Sequence, residues 1–155
     1  MGFDFLSFQL KKRAHIIIPL AISAALISTH YFLLGRIVAG IIVAISVVRF
    51  ITCYFTTNKK FIYVFILINT IILFLTYNSP YDLIVYAGIA VVIVASFQED
   101  TKWLRRLMMV GTSTLIIYNA IIFSPMGVVV EGSFLISNLV GYYRHHIRKG
   151  MLLKT

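Results

Sequence analysis

Six long apolar runs separated by short polar gaps constrain the fold of this 155-residue chain more than any other feature. Each run is close to the roughly 17 to 25 residues that an α-helix needs to cross the hydrocarbon core of a bilayer. With 60% hydrophobic and 12% charged residues, the chain has too little polar surface to cover a water-soluble core. The sequence therefore predicts an all-α membrane protein with six transmembrane helices, at residues 14–34, 37–57, 61–77, 81–97, 103–123 and 126–146.

The basic residues alternate along the chain, because 13 of the 14 lysines and arginines lie in or beside every second gap. Membrane proteins concentrate such residues on their cytoplasmic side. Arg36 is the exception, in a gap predicted to face the outside. We therefore expect a multi-pass protein whose C-terminus is cytoplasmic. The net charge of +9 sits in short clusters beside apolar runs, which indicates the anionic headgroups of a lipid bilayer as the partner and excludes nucleic acid.

The chain also contains an internal repeat with an offset of 89 residues. Ser7-Phe8-Gln9 recurs as Ser96-Phe97-Gln98, and basic residues follow each triplet. Four predicted helices separate the triplets, so both would lie on one side of the membrane and the halves would be parallel repeats. Polar residues pair at nearly the same spacing: His30 with Asn119, Ser46 with Asn138, and Arg49 with Arg144.

The repeat predicts the organisation of the chain as a single membrane domain. We expect a first repeat at 1–57, a linker helix within 58–80, a second repeat at 81–149 and a cytoplasmic tail at 150–155. In the second repeat a whole run precedes the triplet, whereas only Met1 to Leu6 precede it in the first. The first repeat is therefore expected to lack most of its first helix, through a misassigned start or a loss in this lineage.

Three blocks of sequence resemble the YgjV family of bacterial inner-membrane proteins. They are Ser7-Phe8-Gln9 with Lys11 to Arg13, residues 30–35 with Ala39-Gly40 and Arg49, and residues 131–135 with Asn138 and Arg144. That family is itself similar to the PQ-loop group, which contains the SWEET and SemiSWEET sugar transporters. The resemblance implies the bacterial inner membrane and a SWEET-like bundle of three, one and three helices in parallel repeats. In SWEET-type proteins an asparagine on the third helix of each half faces a central sugar pocket. Asn138 matches it in the second half, and Ser46 replaces it in the first.

Polar side chains inside apolar helices are costly and usually face a bundle interior or a wet cavity. Five are predicted to bind a small polar solute: Asn138, Ser46, Asn119, His30 and Glu131. Hydrogen bonding between helices is the alternative role for the asparagines and the serine. His30 and Glu131 lie near outer helix ends, where they could also pair with each other. Arg49 and Arg144 are candidates either for gating or for anchoring to the headgroups.

The sequence contains no paired carboxylates, phosphate-binding glycine loop, cysteine-rich metal motif or nucleophile–base arrangement. We therefore expect no catalytic residue, metal or cofactor, and no enzyme. The leading hypothesis is a SWEET-like carrier that moves a small polar solute, such as a sugar, by rocking two helix bundles. The alternative is a non-transporting structural or regulatory membrane protein that acts through a partner. The small size of the chain also suits a homodimer.

Overall fold

The computed structural model describes residues 13–33 and 37–144, and in these ranges the chain forms six α-helices and no β-strand. They are α1 (Arg13–Leu33), α2 (Ile37–Phe55), α3 (Lys60–Thr76), α4 (Asp82–Ser96), α5 (Thr101–Ile121) and α6 (Pro125–Tyr142). Each helix coincides with one predicted apolar run to within a few residues. The all-helical fold class and the six helices are therefore confirmed. That the six helices cross a membrane, and that they are arranged as three, one and three, stay predictions.

Some of the predicted features lie outside the described residues. They are the triplet at 7–9, the basic cluster at 11–12, the helix expected before Ser7, the outer gap at 35–36 and the tail at 150–155.

Short turns with local hydrogen bonds connect the later helices. The Asp82 carboxylate accepts hydrogen bonds from the backbone N–H groups of Asn78 and Ser79, at 2.9 and 2.8 Å, and so closes the turn between α3 and α4. Asp100 caps α5 by accepting from the N–H of Lys102 at 2.9 Å. Pro125 begins α6, where a missing backbone N–H is tolerated. Turns this short make α3 and α4, α4 and α5, and α5 and α6 antiparallel neighbours.

The helices pack mainly against their neighbours in the chain. α1 packs on α2, while α5 lies between α4 and α6. α3 packs on α4, where the buried ring of Phe97 lies over those of Phe61 and Phe65, with ring centroids 6.4 and 5.9 Å apart. The hydroxyls of Thr70 and Tyr86 are 3.0 Å apart across the same contact. The bundle therefore has an α1–α2 pair on one side and an α5–α6 pair on the other, with α4 beside both.

Two glycines allow α4 and α5 to approach closely. A Cβ atom at Gly111 would lie 2.6 Å from Val92 Cγ2 and 3.0 Å from the carbonyl oxygen of Gly88. A Cβ atom at Gly88 would lie 3.3 Å from the carbonyl oxygen of Gly111. Small residues at such an interface let two helix backbones pack together. The two glycines fix the position of α4 along α5, so that Gly111 faces the stretch between Gly88 and Val92.

Large apolar side chains cover much of the outer surface. Phe123 is 91% exposed, Leu33 is 83% exposed, and Phe55, Phe74 and Leu75 are each 80% exposed. Soluble monomers rarely expose apolar area on this scale. Among the helices described, none combines the length with the apolar character that crossing a membrane would need.

Candidate functional site

A cavity of about 510 Å³ lies between the α1–α2 pair and the α5–α6 pair. Its wall is mostly apolar, and α4 contributes Val92 to it. The polar side chains in the lining are Ser23, Thr112, Asn119, Ser124 and Glu131. Sites for small molecules commonly have volumes of roughly 300 to 1,000 Å³ and a few polar groups in an apolar wall. The cavity therefore has the size and the chemistry to hold a small polar molecule.

The cavity extends along the bundle from the turn between α5 and α6. Ser124, in that turn, and Met126, in the first turn of α6, line one end. Four apolar side chains from four different helices line the opposite end: Phe50, Val92, Met108 and Phe134. We call this set the apolar floor.

Asn119 is held at the cavity wall by its own helix and by the close approach of α6. Its Nδ2 group donates a hydrogen bond to the carbonyl oxygen of Leu115 at 2.9 Å. A Cβ atom at Gly127 would clash with Asn119 Oδ1 and would lie 3.0 Å from Ser124 Oγ. Position 127 therefore has to be a glycine for the Asn119 amide to occupy its observed place.

Glu131 is half-buried and lies one helical turn after Gly127 on α6. It is the one ionisable side chain among the described residues of the lining. Two of the five predicted solute-binding residues, Asn119 and Glu131, are thus brought to the same cavity by α5 and α6.

The other three predicted residues lie outside the lining. Asn138 is 2% exposed, and it bonds Arg105 twice. Its Nδ2 donates to the Arg105 carbonyl at 2.9 Å, and its Oδ1 accepts from Arg105 Nη1 at 3.4 Å. Ser46 is half-buried on α2, and His30 is exposed near the end of α1. A pairing of His30 with Glu131 stays a prediction.

The two arginines that the repeat equates have different surroundings. Arg49 is only 5% exposed, and its Nη1 donates a hydrogen bond to Ser96 Oγ at 3.3 Å. The Arg49 guanidinium carbon also lies 4.6 Å from the centroid of the Phe50 ring. Arg144, by contrast, is exposed just beyond α6. Arg49 therefore points into the bundle, whereas Arg144 has the exposed position that anchoring to headgroups requires.

Sequence reasoning missed Arg105 and used Ser96 only as a marker of the repeat. Arg105 is fully buried and Ser96 is 1% exposed. Arg105 stands near a predicted gap between two helices. This position in the sequence predicts a basic residue on the cytoplasmic side. A signal was nevertheless present, because Arg105, Met108 and Thr112 follow the spacing of one helix face, and both Met108 and Thr112 line the cavity. We call the set of Arg49, Ser96, Arg105 and Asn138 the polar layer.

A family model described as bacterial inner membrane protein, Imp-YgjV, matches residues 1–149. The chain belongs to this family. Membership in the YgjV family confirms the relationship predicted from the three sequence blocks and assigns the protein to the inner-membrane proteins of bacteria. The similarity to the PQ-loop group stays a prediction.

A relative within the YgjV family is the inner membrane protein YgjV of Escherichia coli strain K12. The two proteins are 29% identical over 119 residues, which are 77% of this chain and 65% of the relative. The chain thus spans less than two thirds of the length of that relative. No solved structure matches the chain.

Proposed function

We propose that this YgjV-family protein is a SWEET-like carrier that moves a small polar solute, such as a sugar, across the bacterial inner membrane. The observation that carries the proposal is the cavity of about 510 Å³ between two helix pairs, with Asn119 and Glu131 in its wall. An amide and a carboxylate provide the hydrogen-bonding groups that hydroxyl-bearing solutes need. Polar groups inside an apolar bundle commonly mark the pathway of a solute.

The proposed carrier works by alternating access. Rocking of the α1–α2 pair against the α5–α6 pair would part the apolar floor at one end of the cavity and narrow the other end. The two pairs belong to the two proposed repeats, 1–57 and 81–149. In this mechanism Asn119 and Glu131 contact the solute, whereas Asn138 keeps α5 and α6 together through its bonds to Arg105.

The proposal includes a multi-pass arrangement with a cytoplasmic C-terminus. The apolar exterior and the alternation of basic residues support it. Reporter fusions test it directly. Fusions after Asn58 and Gln98 are expected on the cytoplasmic side, and fusions after Asn78 and Ser124 on the periplasmic side. Fusions after Asn58 and Gln98 on opposite sides would rule out the arrangement.

Uptake into proteoliposomes tests the carrier function. A panel of labelled sugars and other small polar metabolites should contain at least one that enters faster with the protein than without it. Asn119→Ala and Glu131→Gln should each reduce that uptake about tenfold, the usual effect of losing a hydrogen bond that helps to hold a solute. Thr114→Ala is the matched control, because Thr114 lies on α5 outside the lining and bonds the Val110 carbonyl. Absence of uptake by folded protein, or uptake insensitive to both variants, contradicts the proposal.

The second candidate is a structural or regulatory membrane protein that binds a partner helix or a second copy of itself. The two interhelical contacts of the polar layer favour it, because they hold helices together without reaching the cavity. Crosslinking in native membranes distinguishes the two candidates. A structural protein should give a specific crosslink to a partner or to a second copy of itself. Glu131→Gln should leave that crosslink unchanged.

A further inference from the structure

Arg49 is a buried cation that is held by a hydroxyl group and not by a carboxylate. It is only 5% exposed, and its contacts within the described part of the chain are the Ser96 hydroxyl and the Phe50 ring. A buried charge is costly unless an opposite charge compensates it. The bond to Ser96 therefore opposes the hydration of the guanidinium, which would favour its release from the bundle.

The contact between Arg49 and Ser96 joins the two halves of the chain. Arg49 belongs to α2, and Ser96 is the last residue of α4. In the turns that follow the same two helices, Thr57 Oγ1 donates a hydrogen bond to Glu99 Oε1 at 3.0 Å. The α1–α2 pair therefore meets the second half where α2 and α4 end. We call this end of the bundle the basic end, because three lysines lie in or beside its turns: Lys59, Lys60 and Lys102.

The Arg49–Ser96 contact lies between the apolar floor of the cavity and the basic end. Arg49 is adjacent to Phe50 of the floor, and Ser96 follows Val92 of the floor by one helical turn. The Ser96 hydroxyl also donates to the Val92 carbonyl at 2.8 Å, which fixes its position as an acceptor for Arg49. Because the contact joins α2 to α4 next to the floor, separating these helices at that level would break it.

The Arg49 side chain lies within reach of the basic end. Arg49 precedes Phe55, the last residue of α2, by six residues, which correspond to about 9 Å along the helix axis. A long basic side chain can leave its stem on apolar surface and extend its charged group to a polar boundary. Once the bond to Ser96 is broken, the guanidinium can therefore extend toward water and headgroups at the basic end.

We propose that Arg49 is the switch of a gate between the cavity and the basic end. In the closed state, Arg49 bonds Ser96 inside the bundle. In the open state, α2 and α4 separate and the guanidinium is hydrated at the basic end. The bond favours the first state and hydration favours the second, so both states stay accessible. The switch rests on the carrier function proposed above, and it adds the residue that governs opening on the cytoplasmic side.

The distance between the two halves tests the gate without any solute. In a Cys53→Ser background, spin labels are attached at Phe55→Cys on α2 and Lys102→Cys on α5, which are both exposed positions. Electron–electron resonance on the full-length protein in phospholipid nanodiscs then measures how far the basic end opens. Labels at Lys102→Cys and Tyr143→Cys are the control pair, because both lie in the second half, and their distance should not change.

Ser96→Ala and Arg49→Leu should act in opposite directions, although both remove the same hydrogen bond. Ser96→Ala leaves a buried charge without its partner, so the ratio of open to closed protein should rise about tenfold or more. Arg49→Leu also removes the charge, and in the Ser96→Ala background it should return the ratio to the parent value or below it. Arg49→Lys in that background keeps the charge and should leave the gate open. Arg106→Gln is the control for loss of an arginine and should have no effect, because Arg106 is exposed and bonds Tyr142 within the second half.

The proposal is overturned if Ser96→Ala leaves the distance between the halves unchanged. It is also overturned if the variant with both Ser96→Ala and Arg49→Leu is as open as Ser96→Ala alone, since a bond that only holds two helices together gives that result. Uptake into proteoliposomes judges the carrier function separately. Opposite shifts in distance without uptake of any solute would support the switch and contradict the carrier. Uptake by the parent protein with no shift in distance would contradict the switch alone.

Discussion

Asn138 and Arg105 join α6 to α5 through two hydrogen bonds inside the bundle. The Asn138 amide donates to the Arg105 carbonyl at 2.9 Å and accepts from Arg105 Nη1 at 3.4 Å. Both residues are almost completely buried, so solvent does not compete for these groups. The asparagine that the resemblance to SWEET-type proteins matches to a sugar-facing position thus has a structural contact with the neighbouring helix.

Replacing Asn138 should destabilise the protein. In Asn138→Ala the Arg105 carbonyl and Nη1 group each lose one hydrogen-bond partner, and the free energy of unfolding should fall by about 1 to 3 kcal/mol. Denaturation in detergent measures the change. Asn119→Ala is the comparison, because the Asn119 amide bonds only the carbonyl of its own helix in the contacts observed. Equal losses for the two variants would contradict a structural role for Asn138.

Replacing Asn69, unlike replacing Asn138, should not destabilise the protein. Its Nδ2 group is buried in α3 and has no hydrogen-bond partner among the described residues. Replacing an unsatisfied buried polar group by an apolar one of similar shape is nearly neutral or stabilising. Asn69→Leu should therefore leave the Tm unchanged or raise it, in the same detergent assay. A marked fall in Tm would mean that the Asn69 amide binds something essential.

Gly127→Ala should damage the cavity more than the fold. The new Cβ atom would clash with Asn119 Oδ1 and force the amide away from its place in the wall. Solute uptake should fall to about the level of Asn119→Ala, roughly tenfold below the parent protein. Gly132→Ala, on the same helix, is the control, because its Cβ atom would meet nothing within 4 Å. Similar uptake by both variants would argue against a role for the Asn119 position.

Gly111→Ala should loosen the contact between α4 and α5. Its Cβ atom would lie 2.6 Å from Val92 Cγ2, so Val92 or the helix backbone must move. Such overpacking costs about 1 to 3 kcal/mol of folding free energy. The double variant Gly111→Ala with Val92→Ala should recover part of the loss, because the clash with Val92 is removed. Full additivity of the two single effects would contradict the observed packing.

The helices could be predicted from the sequence because the apolar runs are long and the gaps are marked by polar residues. The run predicted at 81–97, for example, is observed as α4 (Asp82–Ser96), where Asp82 closes the preceding turn. Such signals are local, and each depends on a few adjacent residues.

The contacts between helices could not be predicted in this way, because they depend on which faces meet. Asn119 and Glu131 were both selected as polar residues in apolar helices, and both line the cavity. Asn138 was selected by the same rule and instead bonds Arg105. The environment of Arg49 likewise depends on Ser96, which lies 47 residues further along the chain.

Access of water to the cavity is the most direct test of this account. In a Cys53→Ser background, Thr112→Cys would place a thiol in the cavity lining, and Thr114→Cys would place one outside it on the same helix. Hydrophilic methanethiosulfonate reagents react with the thiolate, which forms in water and not in lipid. In native membranes we predict rapid labelling of Thr112→Cys and little labelling of Thr114→Cys. Equal labelling of the two positions, or none at Thr112→Cys in folded protein, would contradict a solute cavity between the helix pairs.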